Sequence, residues 1–317
     1  MRIGWIGSHL EGIPALRGVL ERGFPLESVI TLKPEAGTRR SGAVDYSPLS
    51  AEYDVPLYQI ANINDDQALS LLEELSLDLV FVIGWSQIIR PEALKLARVG
   101  MIGAHASLLP HNRGRAPINW ALIKGEKRTG NSLIWLTDSV DAGDVIDQMV
   151  IPVTHYDTCA SLYEKVAETN REMILRALPK ILAGERPGRS QPQNGASTLP
   201  GRRPQDGLLN WSLSNTEVYD FVRALTRPYP GAFSWLDGKQ WFIWHCSLLP
   251  DIGSIDALPG QVVGPVYSPV EGACGQVVAC GKGAVVLLEM EDNKGQTLRG
   301  SRLSDQPWKG KIWTNGQ

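Results

Sequence analysis

The feature that most constrains this chain is an alternation that runs to about residue 185: apolar runs of strand length separated by stretches of helical periodicity. Arg2 to Ile6 reads as a buried strand, Ile13 to Arg22 as a helix and Ser28 to Leu32 as a second strand. Asp66 to Leu75 is helical, and Leu77 to Ile83 (LDLVFVI) is a nearly continuous apolar run. Pro91 to Ala97 begins with proline, as a short helix can. Met101 to His105 and Ser132 to Leu136 add two strands, and Ser161 to Leu182 is a long amphipathic helix. Strands that are apolar throughout must be covered on both faces, which requires helices above and below a mostly parallel sheet. The expected class is α/β with a Rossmann-like core, and ligands belong beyond the carboxyl ends of its strands.

The composition changes at Glu185. The stretch to Gly207, ERPGRSQPQNGASTLPGRRPQDG, is rich in Pro, Gly and polar residues and reads as a surface linker. A short helix at Thr216 to Leu225 follows, then closely spaced β-like runs: AFSWL, QWFIWHCSL, GQVVGPV, GQVVACG and GAVVLLEM. That order suggests a small OB-like β-barrel. The expected organisation is a first domain at 1–184, a linker at 185–207 and a second domain at 208–317. The tryptophans Trp235, Trp241 and Trp244 are expected in the core of the second domain, and its aromatic richness permits an interface, such as that of a homodimer, or a ligand stack.

With 31 basic and 34 acidic residues and a net charge of -3, nothing calls for a nucleic-acid partner. No signal-peptide pattern or bilayer-length apolar stretch is evident, and Cys159, Cys246, Cys274 and Cys280 show no CxxC spacing. A cytoplasmic protein with reduced cysteines is expected, without membrane attachment or a metal. Gly4, Gly7 and Gly12 do not fit G-x-G-x-x-G, no Walker pattern follows a strand, and no G-x-S-x-G elbow is present.

The chemistry is concentrated in Met101 to Gln148. His105 ends a short strand and precedes a loop rich in Pro and Gly. Asp141 lies in a second loop, TDSVDAG, directly after another strand. Two strand ends of one sheet can bring these side chains to the same crevice. A carboxylate beside an imidazole favours the protonated ring, which makes an acid or base poised near neutrality.

The string SLLPxxRGxxPxxWA, followed by a DAGxxxxQ loop, closely resembles the folate-dependent formyltransferases. HASLLPHNRGRAPINW, GRRPQDGLLNW and PYPGAF resemble most the module that formylates UDP-4-amino-4-deoxy-L-arabinose. The resemblance implies 10-formyltetrahydrofolate as formyl donor and an amine on a nucleotide-linked amino sugar as acceptor, with initiator methionyl-tRNA as the second candidate and an amino acid or peptide amine as a third. By motif position, it implies that His105 is catalytic and that Asp141 raises its pKa. Gln87, Ile88 and Ile89 match one folate loop, Thr137, Asp138, Ser139, Val140 and Asp141 a second, and Arg115 a further binding position. Arg113, Arg115, Arg202 and Arg203 are candidates to meet the acceptor's phosphates. The family carries Asn two residues before the histidine, where this chain has Gly103. That amide is thought to stabilise the oxygen that gains charge during transfer, and losing such a donor typically costs about 2.7–4 kcal/mol. Ser107, His111, Asn112 or a water could replace it; otherwise the acceptor differs, or the protein only binds its ligands.

Overall fold

The computed structural model describes residues 1–37, 41–249 and 255–316. The chain divides into two compact units. The first comprises Met1–Ile118, Lys127–Val153 and Ser161–Gly201; the second comprises Asn119–Glu126, Thr154–Ala160 and Arg202–Gln317.

The first unit is built on strands β1 (Ile3–Ile6), β2 (Ser28–Leu32), β3 (Leu57–Ile60), β4 (Leu79–Val82) and β5 (Gly100–His105). A two-residue strand, β6 (Arg113–Gly114), precedes β7 (Arg128–Trp135) and β8 (Val145–Pro152), and β9 (Thr198–Leu199) comes last. Seven of these form one sheet in the order β3-β2-β1-β4-β5-β7-β8. The first five run parallel, and β7 and β8 are antiparallel additions at one edge. A separate parallel pair joins β6 to β9.

Alternation along the strands explains the layering, because successive side chains point to opposite faces. Trp5, Leu79, Phe81, Ile102 and Leu133 pack on one face against Ala15, Leu16 and Val19 of the helix Ile13–Glu21. Met173, Ile174, Leu178 and Ile181 of the helix Cys159–Leu182 cover the same face. Ile6, Ile30, Val80, Val82 and Met101 turn the other way, onto Ala68 and Leu72 of the helix Asp66–Leu75. Each fully buried Leu, Ile or Phe is worth roughly 1.5–3 kcal/mol relative to exposure, so both layers are driven by burial.

The second unit contains β10 (Ala232–Leu236), β11 (Lys239–Leu248), β12 (Val262–Val266), β13 (Gly275–Ala279), β14 (Ala284–Asp292) and β15 (Thr297–Arg299). They form an antiparallel sheet in the order β10-β11-β14-β13-β12, with β15 also on β14. Bridges Trp235↔Thr314 and Gln261↔Ile312 tie the chain's last segment to both edges, which closes the sheet towards a barrel. The helix Asn215–Leu225 lies against β11 and β14. Its start is a capping box: Ser214 Oγ accepts from the Glu217 N–H, and Glu217 accepts from the Ser214 N–H. Trp241 is buried beside Trp308, and Trp211 beside Trp313. Trp235 and Trp244 are only half-buried, which corrects the expectation that all three strand tryptophans are core. Among the described residues no helix is long and apolar enough to cross a membrane.

Residues 185–201 carry linker composition but group with the first unit. Arg186 stacks over Trp135, the Trp135 indole donates to Pro187 O (2.8 Å), and Arg189 exchanges backbone hydrogen bonds with Val145. The segment is a strap along the β7 and β8 edge.

Candidate active site

Beyond the carboxyl ends of β4 and β5 lies a cavity of about 420 Å³. Its walls come from the turn after β4, the end of β5, the turn at Gly114 and Arg115, and the loop after β7. Gln87, Ile88, Ile89, Gly103, His105, Arg115, Thr137, Asp138, Ser139, Val140 and Asp141 all line it, so residues 54 positions apart in sequence share one concave surface.

His105 is 8% exposed at the tip of β5, where register sets it opposite Ser132 of β7. Its Nε2 lies 2.7 Å from Asn112 O. A carbonyl oxygen only accepts, so Nε2 carries the hydrogen. Nδ1 faces Asp141 Oδ2 at 3.4 Å, longer than a relaxed hydrogen bond. Nδ1, on the other side of the ring, therefore has the Asp141 carboxylate as its neighbour. Asp141 holds its carboxylate there through a left-handed backbone (φ 53°), and its Oδ2 accepts from the Gly114 N–H (2.8 Å). Gly143 allows the loop to turn back against β7, because a Cβ there would meet Trp135 O at 1.8 Å. Under the His105 loop, buried Ser132 donates to Ser107 O and accepts from the Leu109 N–H and the Gln148 amide.

Gly103 pairs with Val82 and Ile134 in the middle of the sheet. A Cβ on it would lie 2.6 Å from Leu136 Cδ2 and 3.2 Å from Leu136 Cγ. Leu136 thus fills the space beside Gly103, and the cavity wall at that position is apolar. Of the replacements suggested by sequence, Ser107 is fully buried with its hydroxyl donated to His111 O (2.7 Å). Ser107, His111 and Asn112 do not line the cavity; Asn112 reaches the site by giving its carbonyl to His105.

The turn after β4 is anchored from outside. The Gln87 side chain donates to Ala61 O and accepts from the Ile63 N–H, both at 2.8 Å, so it is directed at that neighbouring segment. Asn64 donates to Ile88 O and accepts from the Arg90 N–H. Ile89 is buried in the core, whereas Ile88 is 68% exposed and faces the rim, as does Val140 at 53%. Among the described residues, no protein acceptor is hydrogen-bonded to the backbone N–H groups of Gln87, Ile88, Asp138, Ser139 or Val140. Among the proposed phosphate arginines, Arg115 is exposed at the cavity with no side-chain partner among the described residues. Arg113 is committed to Gln191 Oε1 through Nε (3.1 Å) and Nη2 (2.7 Å). Arg202 and Arg203 belong to the second unit; Arg202 stacks on Trp120 and donates to Asp206 O.

Two features were not anticipated from sequence. Gln191 reaches the Asp141 loop, and nothing in a Pro-rich stretch signals it. Beyond β1, His9 and Glu11 meet at 3.8 Å below Gly84. Burial lowers the His9 pKa to about 4, opposed by its bond to the Ser41 backbone, and burial raises that of Glu11 to about 7.

Residues 26–178 match the family model described as formyl transferase, and residues 202–306 match that of the formyl transferase C-terminal domain. HypX from Aquifex aeolicus, in complex with tetrahydrofolic acid, is similar over 95% of this chain at 20% identity and a TM-score of 0.64. This chain covers 46% of it, so it spans about half the length of the HypX chains it matches. An N-formyltransferase from Helicobacter canadensis, in complex with folinic acid and dTDP-3-aminofucose, is similar over 94% of this chain and 100% of its own, at 15% identity and a TM-score of 0.65. The methionyl-tRNA formyltransferase from Clostridium thermocellum is similar over 78% of this chain and 94% of its own, at 17% identity and a TM-score of 0.57. At these identities the solved structures speak to the fold alone, while the two family models between them account for most of the sequence. The chain belongs to the formyltransferase family.

Proposed function

We propose that this protein transfers a formyl group from 10-formyltetrahydrofolate to the amino group of a nucleotide-linked amino sugar, and that residues 1–184 carry the chemistry. The observation that carries this reading is the shared cavity, in which His105 and Asp141 face each other between two loops with free backbone donors. Such a lining fits a folate: unpaired N–H groups suit a pterin edge, and Ile88 and Val140 offer apolar contact for the rest of the planar donor. Similar proteins bind tetrahydrofolic acid or folinic acid, and one binds dTDP-3-aminofucose.

The donor supplies an activated formyl carbon. In the proposed step a new carbon–nitrogen bond forms to the acceptor amine, the bond to the folate nitrogen breaks, and a proton passes from the amine to that nitrogen. His105 handles the proton at Nδ1, because Nε2–H is held by Asn112 O. Asp141 fixes the ring and compensates positive charge on it. Arg115, exposed at the cavity and with no side-chain partner among the described residues, offers a cation to donor or acceptor.

Methionyl-tRNA is the weaker acceptor, because residues 200–317 hold eleven basic and eleven acidic side chains, without the excess a tRNA contact requires. A second reading, slow or absent turnover with retained ligand binding, is favoured by Gly103 and the apolar wall of Leu136. Incubation with 10-formyltetrahydrofolate and a panel of nucleotide amino sugars, aminoacyl-tRNA and simple amines, following tetrahydrofolate release, separates the readings. Acceptor-dependent release with a nucleotide sugar supports formyl transfer. Tight folate binding without release supports the binding protein.

A further inference from the structure

Resting on the reading above, we infer that Gln191 is a positioning residue: backed by Arg113, it holds the Asp141 carboxylate against His105. Asp141 has a left-handed backbone, uncommon for residues bearing a Cβ though more accessible to aspartate than to most, so the contacts that hold this turn set where its carboxylate points. The Gln191 amide grips the loop's backbone from the strap, beside Ser190, whose hydroxyl donates to the Asp144 carboxylate. Its Nε2 donates to Asp141 O and to Gly143 O, both at 2.8 Å, so it grips the loop at the acid and two residues beyond. Its Oε1 accepts the paired Nε and Nη2 hydrogens of Arg113. Gln191 is 9% exposed, so every polar atom of the side chain is used where water cannot substitute freely.

Arg113 connects this latch to both halves of the site. Its preceding neighbour, Asn112, gives its carbonyl to His105 Nε2, and its following neighbour, Gly114, gives its N–H to Asp141 Oδ2. Three consecutive residues thus set the imidazole, the carboxylate and, through Gln191, the backbone that carries the carboxylate. Only an amide serves at 191: it needs two donors towards the carbonyls and one acceptor towards the guanidinium. Glutamate would keep the acceptor but set negative charge against two carbonyl oxygens, and leucine would fill the space with no bond.

The test compares wild type with Gln191→Leu, Gln191→Glu and Arg113→Ala, each alone and combined with Asp141→Ala, in the full chain. Misplacing a reacting group by an ångström can cost about 100-fold in rate. Both Gln191 variants should lower kcat by roughly 10- to 100-fold, with a smaller loss for Arg113→Ala. In the Asp141→Ala background the same changes should cost nothing further, because Gln191 acts through that carboxylate. An additive loss there, or unchanged kcat in the single variants, overturns the inference. Crystal structures of the variants decide the matter even if no acceptor is turned over by wild type, a result that would count against formyl transfer itself. The inference expects the contact between His105 Nδ1 and Asp141 Oδ2 to open in the Gln191 variants. An unmoved Asp141 loop overturns it, and Arg113→Ala provides the same readout should a Gln191 variant fail to fold.

Discussion

At the scale of single residues, the proposed chemistry rests on a histidine whose two nitrogens have separate partners, Asn112 O and the Asp141 carboxylate. His105→Ala should remove acceptor-dependent tetrahydrofolate release by at least the 10²–10⁴-fold that a positioned acid–base group contributes, with folate binding retained. Residual rate above that range would assign the chemistry elsewhere. Gly103 presents a packing problem, since an added side chain collides first with Leu136 Cδ2. Gly103→Asn alone should gain little, whereas Gly103→Asn combined with Leu136→Ala should raise kcat, because it restores an amide and clears its space. Steady-state kinetics on the two variants checks this. The His9 and Glu11 pair titrates with opposite signs. Glu11, raised by burial from 4.5 to about 7, contributes stability that is complete below pH 4.5 and lost as pH rises through 7, worth about 3 kcal/mol in total. His9, lowered by burial from 6.5 to about 4, contributes stability that is complete above pH 6.5 and lost as pH falls through 4. Their slopes oppose between pH 4.5 and 6.5. Relative to wild type, Glu11→Gln should therefore lose stability as pH falls across that window and His9→Asn should lose it as pH rises, measured as urea midpoints.

At the scale of elements, short pieces of chain hold the site as firmly as the large sheet does. The pair β6–β9 brings Gly114 to Asp141, and Gly114 has φ 98° with space for no Cβ, which would meet Leu199 O at 2.5 Å. Gly114→Ala should break that pairing and lower kcat while the β1–β5 core stays folded, a combination read by kinetics alongside hydrogen exchange. Ser214→Ala removes one half of a capping box and should cost about 1 kcal/mol by denaturant titration, without effect on the first unit's chemistry. The core strands were plain in the sequence because burial on both faces leaves apolar runs: LDLVFVI contains β4, and Asp66–Leu75 is helical to the residue. His105 and Asp141 were readable as strand-end residues for the same reason. β8 was not, because it is an edge strand whose VIDQMVIP is broken by the adjacent polar residues Asp147 and Gln148 and ends in proline. β6 and β9 are two residues each, too short for any periodicity. Gln191 was hidden because its role depends on a strap folding back, whereas its local composition speaks only of turns.

At the scale of the whole molecule, the charge balance argues for a small acceptor. A tRNA contact neutralises several phosphates and makes binding fall steeply with salt. With net charge -3 and electrically neutral residues 200–317, turnover with the true acceptor should change by less than tenfold between about 50 and 200 mM salt, against the 10³–10⁵-fold loss of a protein making many phosphate contacts. A loss of that larger size, with aminoacyl-tRNA as the best substrate, would reverse the choice of acceptor. The two loops that meet at the cavity belong to a single unit, so the proposed formyl chemistry would need only that unit's sheet to bring them together. The most direct measurement is a crystal structure with 5-formyltetrahydrofolate, a stable relative of the donor. The proposed chemistry predicts a pterin bonded to backbone groups of residues 87–89 and 137–141, with the formyl-bearing end beside His105 Nδ1. Folate bound away from that cavity, or with its formyl-bearing end remote from His105, would contradict it.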